Sequence, residues 1–272
     1  MLLSEVAYAR PASVDEAVRL LAENDGARPL AGGQTLVNVM KARAAAPDVL
    51  VDLADLEDLR SVSVAADGGL ELGAMITCTQ LIASPEVNEA RPIVAEVARQ
   101  IADVQVRNRG TIGGNVCSND PTNHLPPLMV AVGASMTIAG ADGERSVPAE
   151  EFFLGVYMTA VGPGELLTRV TIPSRDGAGD GFASVTIGAD GTCIANAAAT
   201  VDDGGARVAL GCVGAVPVLV TGSPEEDAVR DAVRGASLEP PSDVHGSADY
   251  RRHLAEILAV RAVGQAEAGR RP

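Results

Sequence analysis

Two stretches of this sequence combine glycine with short polar side chains in a way that suits phosphate chemistry. The first is Ala31-Gly32-Gly33-Gln34-Thr35, flanked by Leu30 and Leu36. The second is Arg109-Gly110-Thr111-Ile112-Gly113-Gly114-Asn115, running on through Val116-Cys117-Ser118-Asn119-Asp120-Pro121. Glycine lets a main chain approach a ligand with no β-carbon in the way. Amides at a turn that opens a helix carry the partial positive charge that holds a pyrophosphate. Thr35 adds a hydroxyl to the first turn, and Thr111, Asn115, Ser118, Asn119 and Asp120 suit phosphate, ribose or ring heteroatoms. Neither stretch is GxGxxG with an acidic residue at the dinucleotide-fold spacing, so a doubly wound nucleotide fold is not indicated.

Other chemistry is sparse. Cys78, Cys117, Cys193 and Cys212 stand far apart, with no CxxC and no Cys/His cluster, so spacing offers no zinc or iron–sulfur site. No Ser/His/Asp set or carboxylate pair points to hydrolysis or acid–base catalysis, and neither a catalytic residue nor a metal ligand is assigned. A formal charge of −15 repels nucleic acid and anionic membranes. With 2% aromatic residues and no Trp, the chain has no platform for stacking bases. No run approaches the roughly 18 apolar residues of a membrane span. The opening MLLSEVAYARPAS has neither the charged start nor the apolar stretch of a signal peptide, so a cytoplasmic protein is expected.

The elements that must position the two turns follow from pattern. Ser13 to Asn24 reads as a helix, with Ser13 and Glu16 as a capping box and Val14, Ala17, Val18 and Leu21 at helical spacing. A short helix over Leu36 to Arg43 and a buried strand over Val49 to Asp52 follow the first turn. Ser61 to Ala74 reads as a hairpin around Asp67-Gly68-Gly69. Helices are expected at Thr77 to Ala83 and Pro92 to Ile101, before the second glycine turn. An apolar segment, Leu125 to Ala134, comes after it, and strands follow at Ser135 to Ala139 and Leu166 to Ile172. Ser174 to Gly181 has the composition of a flexible linker. Beyond it lie a meander (Phe182 to Ile187, Ile194 to Val201, Arg207 to Val213) and two helices (Glu225 to Val233, Ala248 to Ala266). A chain of 272 residues with 47% hydrophobic content has material for two domains, with a boundary near residue 175.

The run Pro29-Leu-Ala-Gly-Gly-Gln-Thr-Leu36, with Met40 and Arg43, resembles the first flavin motif of the FAD-binding medium subunit of molybdenum hydroxylases. That family includes carbon monoxide dehydrogenase and xanthine dehydrogenase. Gln105 to Asn115 resembles its second motif, Asp120-Pro121 and Leu125-Pro126-Pro127 continue the match, and Glu165 to Pro173 resembles the strand closing the flavin domain. The likeness is clear from about Tyr8 to Pro173 and weaker beyond. It implies an α+β, vanillyl-alcohol-oxidase-type (PCMH-like) FAD-binding fold of two subdomains, about 1–57 and 58–175, plus a small C-terminal α+β domain over 176–272.

By matching position, the resemblance implies that Leu30, Ala31, Gly32, Gly33, Gln34, Thr35 and Leu36, with Thr111, Ile112, Gly113, Gly114 and Asn115, bracket the pyrophosphate and the flavin. Ser118 lies beside them, Asp120 and His124 reach the adenosine or ribityl part, and Leu167 packs near the adenine. The sequence departs from the pattern in His124, where many relatives have Asp, and in Ser118, where some have His. It also lacks a basic residue in the region Phe182 to Ile187.

The family's division of labour puts the molybdenum cofactor on a large partner subunit and two two-iron, two-sulfur clusters on a small one. A dimer of heterotrimers is the implied assembly. Electrons then reach FAD on this chain and leave to an external acceptor. The cysteine spacing agrees, since this chain offers no cluster ligands of its own. The rival readings are a stand-alone flavin oxidase or reductase of the same fold, and a flavin-free scaffold. Only Tyr250 among tyrosines lies in the C-terminal part, which argues against an oxidase pocket there. Arg107 and Arg109 either steady phosphates or face a partner, Cys117 reads as an inert thiol, and Arg251, Arg252, Glu256 and Arg261 read as a solvated or assembly face of the last helix.

Overall fold

The computed structural model describes residues 3–188 and 191–270. Three stacked sheets organise it. The first holds β1 (Ala7–Ala9), β2 (Ala27–Leu30) and β3 (Val49–Asp52), parallel and in the order β1-β3-β2. Parallel neighbours need crossovers, and α1 (Val14–Glu23) and α2 (Leu36–Lys41) lie on them. Ser13 caps α1 by accepting from the Glu16 amide at 3.1 Å, as expected, but the Glu16 carboxylate returns to the Ala12 amide (2.7 Å) and not to that of Ser13. Ala17, Val18 and Leu21 are the buried stripe of that helix, which packs with Val51 and Leu53.

The middle of the chain builds an antiparallel sheet from β4 (Val62–Val64), β5 (Leu70–Gly73), β6 (Ser135–Gly140) and β7 (Gly143–Pro148). The small hairpin of β8 (Phe153–Gly155) and β9 (Met158–Thr159) comes next, and β10 (Leu166–Ile172) then returns to the sheet's centre, giving the order β4-β5-β10-β6-β7. Alternate residues Leu70, Leu72, Val170 and Ile172 face one core. The helices α3 (Cys78–Ala83), α4 (Pro85–Ala90), α5 (Pro92–Arg99), α6 (Val104–Arg107), α7 (Ile112–Ser118), α8 (Leu125–Ala131) and α9 (Ala149–Phe152) supply the rest of the layer. Several elements here go beyond the sequence reading, α4, α6 and β7 among them. Ser84 and Pro85 start α4 with a side-chain cap and a first-turn proline, Asp103 caps α6, and β7 pairs with β6.

A correction concerns the second glycine stretch. It is not an open turn: Gly113 and Gly114 lie inside α7, capped by Thr111. Glycine is a poor helix former, but a β-carbon on Gly113 would stand 2.7 Å from the Ala74 side chain, so packing against the neighbouring sheet overrides propensity.

The third sheet is a meander of β11 (Gly179–Ile187), β12 (Thr192–Asp202), β13 (Gly205–Gly211) and β14 (Val218–Gly222). One face, with Phe182, Ala198 and Ala209, joins the core of the middle layer. The other, with Ala195, Ala197, Ala199 and Val201, packs under α10 (Glu226–Gly235) and α11 (Ala248–Gly269). Burial on both faces explains the unbroken small apolar run of β12. The expected flexible linker is here corrected. Its last residues are strand, and Gly179 and Gly181 are there because α11 presses on them: β-carbons would lie 2.8 Å from the Ala266 carbonyl carbon and 2.9 Å from the Ala266 nitrogen.

Arg91, at the start of α5, pairs with Asp180 of β11 at 2.7 Å, both side chains 3% exposed. It also donates to the carbonyls of Pro173 (3.1 Å) and Ser174 (3.4 Å), so one guanidinium fastens the connector and the third sheet to the middle layer. Arg251, read as part of a solvated or assembly face of the last helix, is buried instead, donating to the Ile194 carbonyl (2.6 Å) and to Asp243 (2.7 Å). Among the described residues no helix is long and apolar enough to cross a membrane.

Candidate cofactor site

The two glycine stretches meet. A β-carbon on Gly32 would stand 2.7 Å from the Arg109 carbonyl carbon and 3.0 Å from Gly110 Cα, so main chain rests on main chain. The position a β-carbon would take on Gly114 is 3.6 Å from the Ala31 methyl, and that on Gly110 is 3.9 Å from Gln34 Cγ. The turn after β2 and the segment before α7 therefore form one wall.

The hydrogen bonds separate the roles of the two halves. Among the described residues, the amides of Gly32, Gly33, Gln34, Thr35 and Leu36 meet no protein acceptor, while Val37 N–H already donates to the Gly33 carbonyl at 3.1 Å. Gly33 bends the chain at φ +72°, the left-handed region glycine favours. The Gln34 side-chain amide donates back to the Gly32 carbonyl (3.1 Å), holding the turn. These amides lead into α2 with no competing partner, which is the donor set an anion needs.

In the second stretch, by contrast, the amides of Ile112, Gly113 and Asn115 donate to the carbonyls of Ile76, Ala74 and Thr111, and that of Gly114 donates to the Thr111 hydroxyl. The expectation that both stretches offer amides is thus narrowed. The first supplies donors, and the second supplies a surface cleared of side chains.

Asn115 leaves its Oδ1 buried without a partner, as His124 does its Nε2. Buried polar atoms are normally satisfied, so both await a donor or acceptor. The Asn115 carbonyl takes hydrogen bonds from Ser118 Oγ (2.8 Å) and Asn123 Nδ2 (3.0 Å), which fix Ser118 against the same helix. Asp120 is held on both oxygens: Oδ1 accepts from the Thr122 amide (2.9 Å) and hydroxyl (2.7 Å), and Oδ2 from Tyr157 (3.0 Å). Leu167 is buried in the core of the middle layer, opposite Ile138. Sequence reading missed Tyr157, whose φ of +57° and bond to the Asn119 carbonyl (3.2 Å) hold its hairpin over Asp120. No local pattern marks a contact across that distance. Arg107 donates from Nη1 to the Ile101 and Ala102 carbonyls (2.8 and 2.7 Å), which steadies the chain before α6. Cys117 is half-buried as a residue, yet its thiol is enclosed and burial pushes its pKa up to about 12, as fits an inert thiol.

His124 is 4% exposed, packed 5.7 Å from the Phe182 ring of β11, and burial pushes its pKa down to about 4. In the unfolded chain it titrates near 6.5. The folded state therefore keeps the full benefit of neutral His124 above pH ~6.5 and loses it as pH falls towards 4, by about 3 kcal/mol in total. Denaturant unfolding at neutral and mildly acid pH is expected to give a smaller pH dependence for His124→Leu than for the parent chain. Equal pH dependence would clear His124 of the effect.

An extended dinucleotide fits these residues: a run of unpartnered amides for its phosphates, a wall that a single β-carbon would breach, and the orphaned Oδ1 of Asn115 on the helix that forms this wall. Comparison with known proteins points the same way. The family model described as the FAD binding domain in molybdopterin dehydrogenase matches residues 4–175. The carbon monoxide dehydrogenase medium chain of Afipia carboxidovorans is 39% identical over 96% of each chain. The glyceraldehyde dehydrogenase medium chain of Sulfolobus acidocaldarius is 32% identical over 95% of this chain and 97% of its own. The solved reconstituted CO dehydrogenase from Oligotropha carboxidovorans superposes with a TM-score of 0.93 at 36% identity, covering 99% of this chain and 100% of its own. The expected PCMH-like α+β fold is therefore the observed one, and the chain belongs to the family of FAD-binding medium subunits of molybdopterin-dependent dehydrogenases.

Proposed function

We propose that this chain holds FAD at the joined turns and relays electrons from two-iron, two-sulfur clusters of a small partner subunit to an external acceptor. The organic substrate is oxidised at the molybdenum cofactor of a large subunit. The observation that carries the reading is the run of free amides from Gly32 to Leu36 set against the Arg109 carbonyl. When bound, FAD supplies the redox chemistry that no side chain of this site can supply. The chain's own residues position it. The Gly32 to Leu36 amides hold the diphosphate, the cleared surface at Gly110, Gly113 and Gly114 admits it, and Asn115 Oδ1 offers an acceptor. Ser118, Asp120, His124 and Leu167 form the surrounding frame.

The same reading divides the chain into a flavin domain over 1–175, with subdomains meeting near 57, and a C-terminal domain over 176–272. The turn at Glu57–Arg60 and the connector that Arg91 fastens support these boundaries. It also takes the assembly to be a cytoplasmic dimer of heterotrimers; relatives that are themselves named medium chains support a large and a small partner subunit.

The test is to purify the chain alone and with the products of its neighbouring reading frames. Absorbance in the flavin bands and bleaching by carbon monoxide, glyceraldehyde and N-heterocycles are then recorded. The chain alone should carry flavin that no substrate reduces, and the complex should reduce it. Substrate oxidation by the isolated chain, or a complex without flavin absorbance, would sink the proposal.

A further inference from the structure

Cys193 and Cys212 look unrelated in the sequence, but the fold brings them together in the third sheet. Cys193 lies near the start of β12 and Cys212 directly follows β13. They are 1% and 4% exposed. The side-chain amide of Asn196 lies 3.3 Å from the Cys193 sulfur and 3.8 Å from the Cys212 sulfur, and Cys212 Sγ is 3.6 Å from the Cys193 carbonyl oxygen.

Both strands break their regular geometry at these residues. The register of β12 against β11 skips Ile194, so a bulge turns Cys193 away from the regular alternation. Cys212 sits at φ +64°, a left-handed conformation that residues other than glycine rarely adopt. Two separate distortions that point two thiols at one amide mark a built arrangement and not a chance of packing.

The Cys193 thiol donates to the Ala195 carbonyl at 3.3 Å, and the mutual influence of the two sulfurs holds Cys193 below the ordinary thiol range and Cys212 well above it. Cys78 and Cys117, pushed up by burial to about 11 and about 12, have no such partner. A cavity of about 10 Å³ reaches Cys212, lined also by Asn119, Asp120, Asn123 and Gly211, with room for roughly one water-sized molecule.

We propose that Cys193 and Cys212 are a redox dithiol that closes to an intrachain disulfide when hydrogen peroxide reaches it. The two S–H bonds and the peroxide O–O bond break, and one S–S bond forms. Two electrons pass from the sulfurs to the peroxide, whose oxygens leave as two waters with the thiol protons. The oxidant must be small: a cavity with room for about one water excludes a bulky disulfide such as oxidised glutathione, and hydrogen peroxide has only two heavy atoms. Asn196 also donates to the Asn123 carbonyl at 3.4 Å, so the dithiol adjoins the loop that carries Asp120. The inference stands without the flavin assignment.

The full chain is treated with hydrogen peroxide or with oxidised glutathione, alkylated in denaturant and digested with trypsin, for which Arg207 separates the two cysteines. Peroxide should yield a linked peptide pair containing Cys193 and Cys212 that thiol reductant releases, with Cys78 and Cys117 still alkylated. Oxidised glutathione should yield none. In Cys193→Ser, Cys212, the sulfur that the cavity reaches, should instead give a sulfenic acid trapped by dimedone. The proposal is overturned if the wild-type chain keeps both thiols alkylatable after peroxide, or if either cysteine is overoxidised with no linked pair. Equal linkage by oxidised glutathione would overturn the size selection.

Discussion

Gly32→Ala is expected to strip the chain of FAD while leaving its sheets in place. The added methyl would stand 2.7 Å from the Arg109 carbonyl carbon and 3.0 Å from Gly110 Cα, and neither atom belongs to a side chain that could rotate aside. The two segments must part. Forced overpacking of this kind costs ~1–3 kcal/mol, and each 1.4 kcal/mol is a factor of about ten in binding. Affinity for FAD should therefore fall roughly ten- to hundredfold, read as flavin per polypeptide after gel filtration and as Kd from titration of the apo-chain. Two companions calibrate the result. Gly33→Ala forces a left-handed alanine, for about 1–2 kcal/mol, and should be intermediate. Gly114→Ala meets first the Thr111 hydroxyl at 2.9 Å, a side-chain atom that can yield at the expense of its bond to the Gly114 amide, and then the Ala31 methyl at 3.6 Å, so it should retain more flavin than Gly32→Ala. A Gly32→Ala chain that binds FAD as the parent does would show that the junction of the turns is not what holds the cofactor.

Arg91→Ala should cost the fold about 3–5 kcal/mol, the usual penalty for leaving one member of a buried ion pair without its partner. Asp180 would stay in the interior with Thr200 as its remaining donor, at 2.8 Å, and one carboxylate oxygen has no partner even in the native chain. The Pro173 and Ser174 carbonyls would lose their donor as well. Replacing both charges, as in Arg91→Met with Asp180→Leu, should recover much of the loss, because desolvating two ions often cancels their attraction. Denaturant midpoints for the single and double variants provide the check. A double variant no more stable than Arg91→Ala would mean that Arg91 matters through its carbonyl contacts and not through Asp180.

What could be read from residues alone was whatever is written locally. Ser13 announces its cap, Thr77 the start of its helix and Asp67-Gly68-Gly69 its hairpin over a few positions, and all three stand within a residue of where they are expected. The two glycine stretches were legible for the same reason, and the fold brings them together in one wall. The division of their roles was not, because whether an amide is free depends on what folds over it: Ala74 and Ile76 take the donors of α7 from a neighbouring segment. Composition misled at Gly179 and Gly181, where the same residues that make a linker supple let a helix lie against a strand. Arg91 with Asp180, and Cys193 with Cys212, are pairs that only the tertiary fold brings together, and no spacing rule reports them.

The closeness of α11 to β11 bears on how the chain is made. That helix leaves the ribosome after every strand it covers, and its end supplies the Gly269 carbonyl that Arg175 of the connector binds. Its beginning supplies Arg251, which holds the Ile194 bulge. A nascent chain short of this segment carries an alanine-lined sheet with one side wet and its attachment to the preceding layer half made, so the third sheet settles after synthesis has passed it. Flavin capture, which draws only on earlier segments, need not wait for that step.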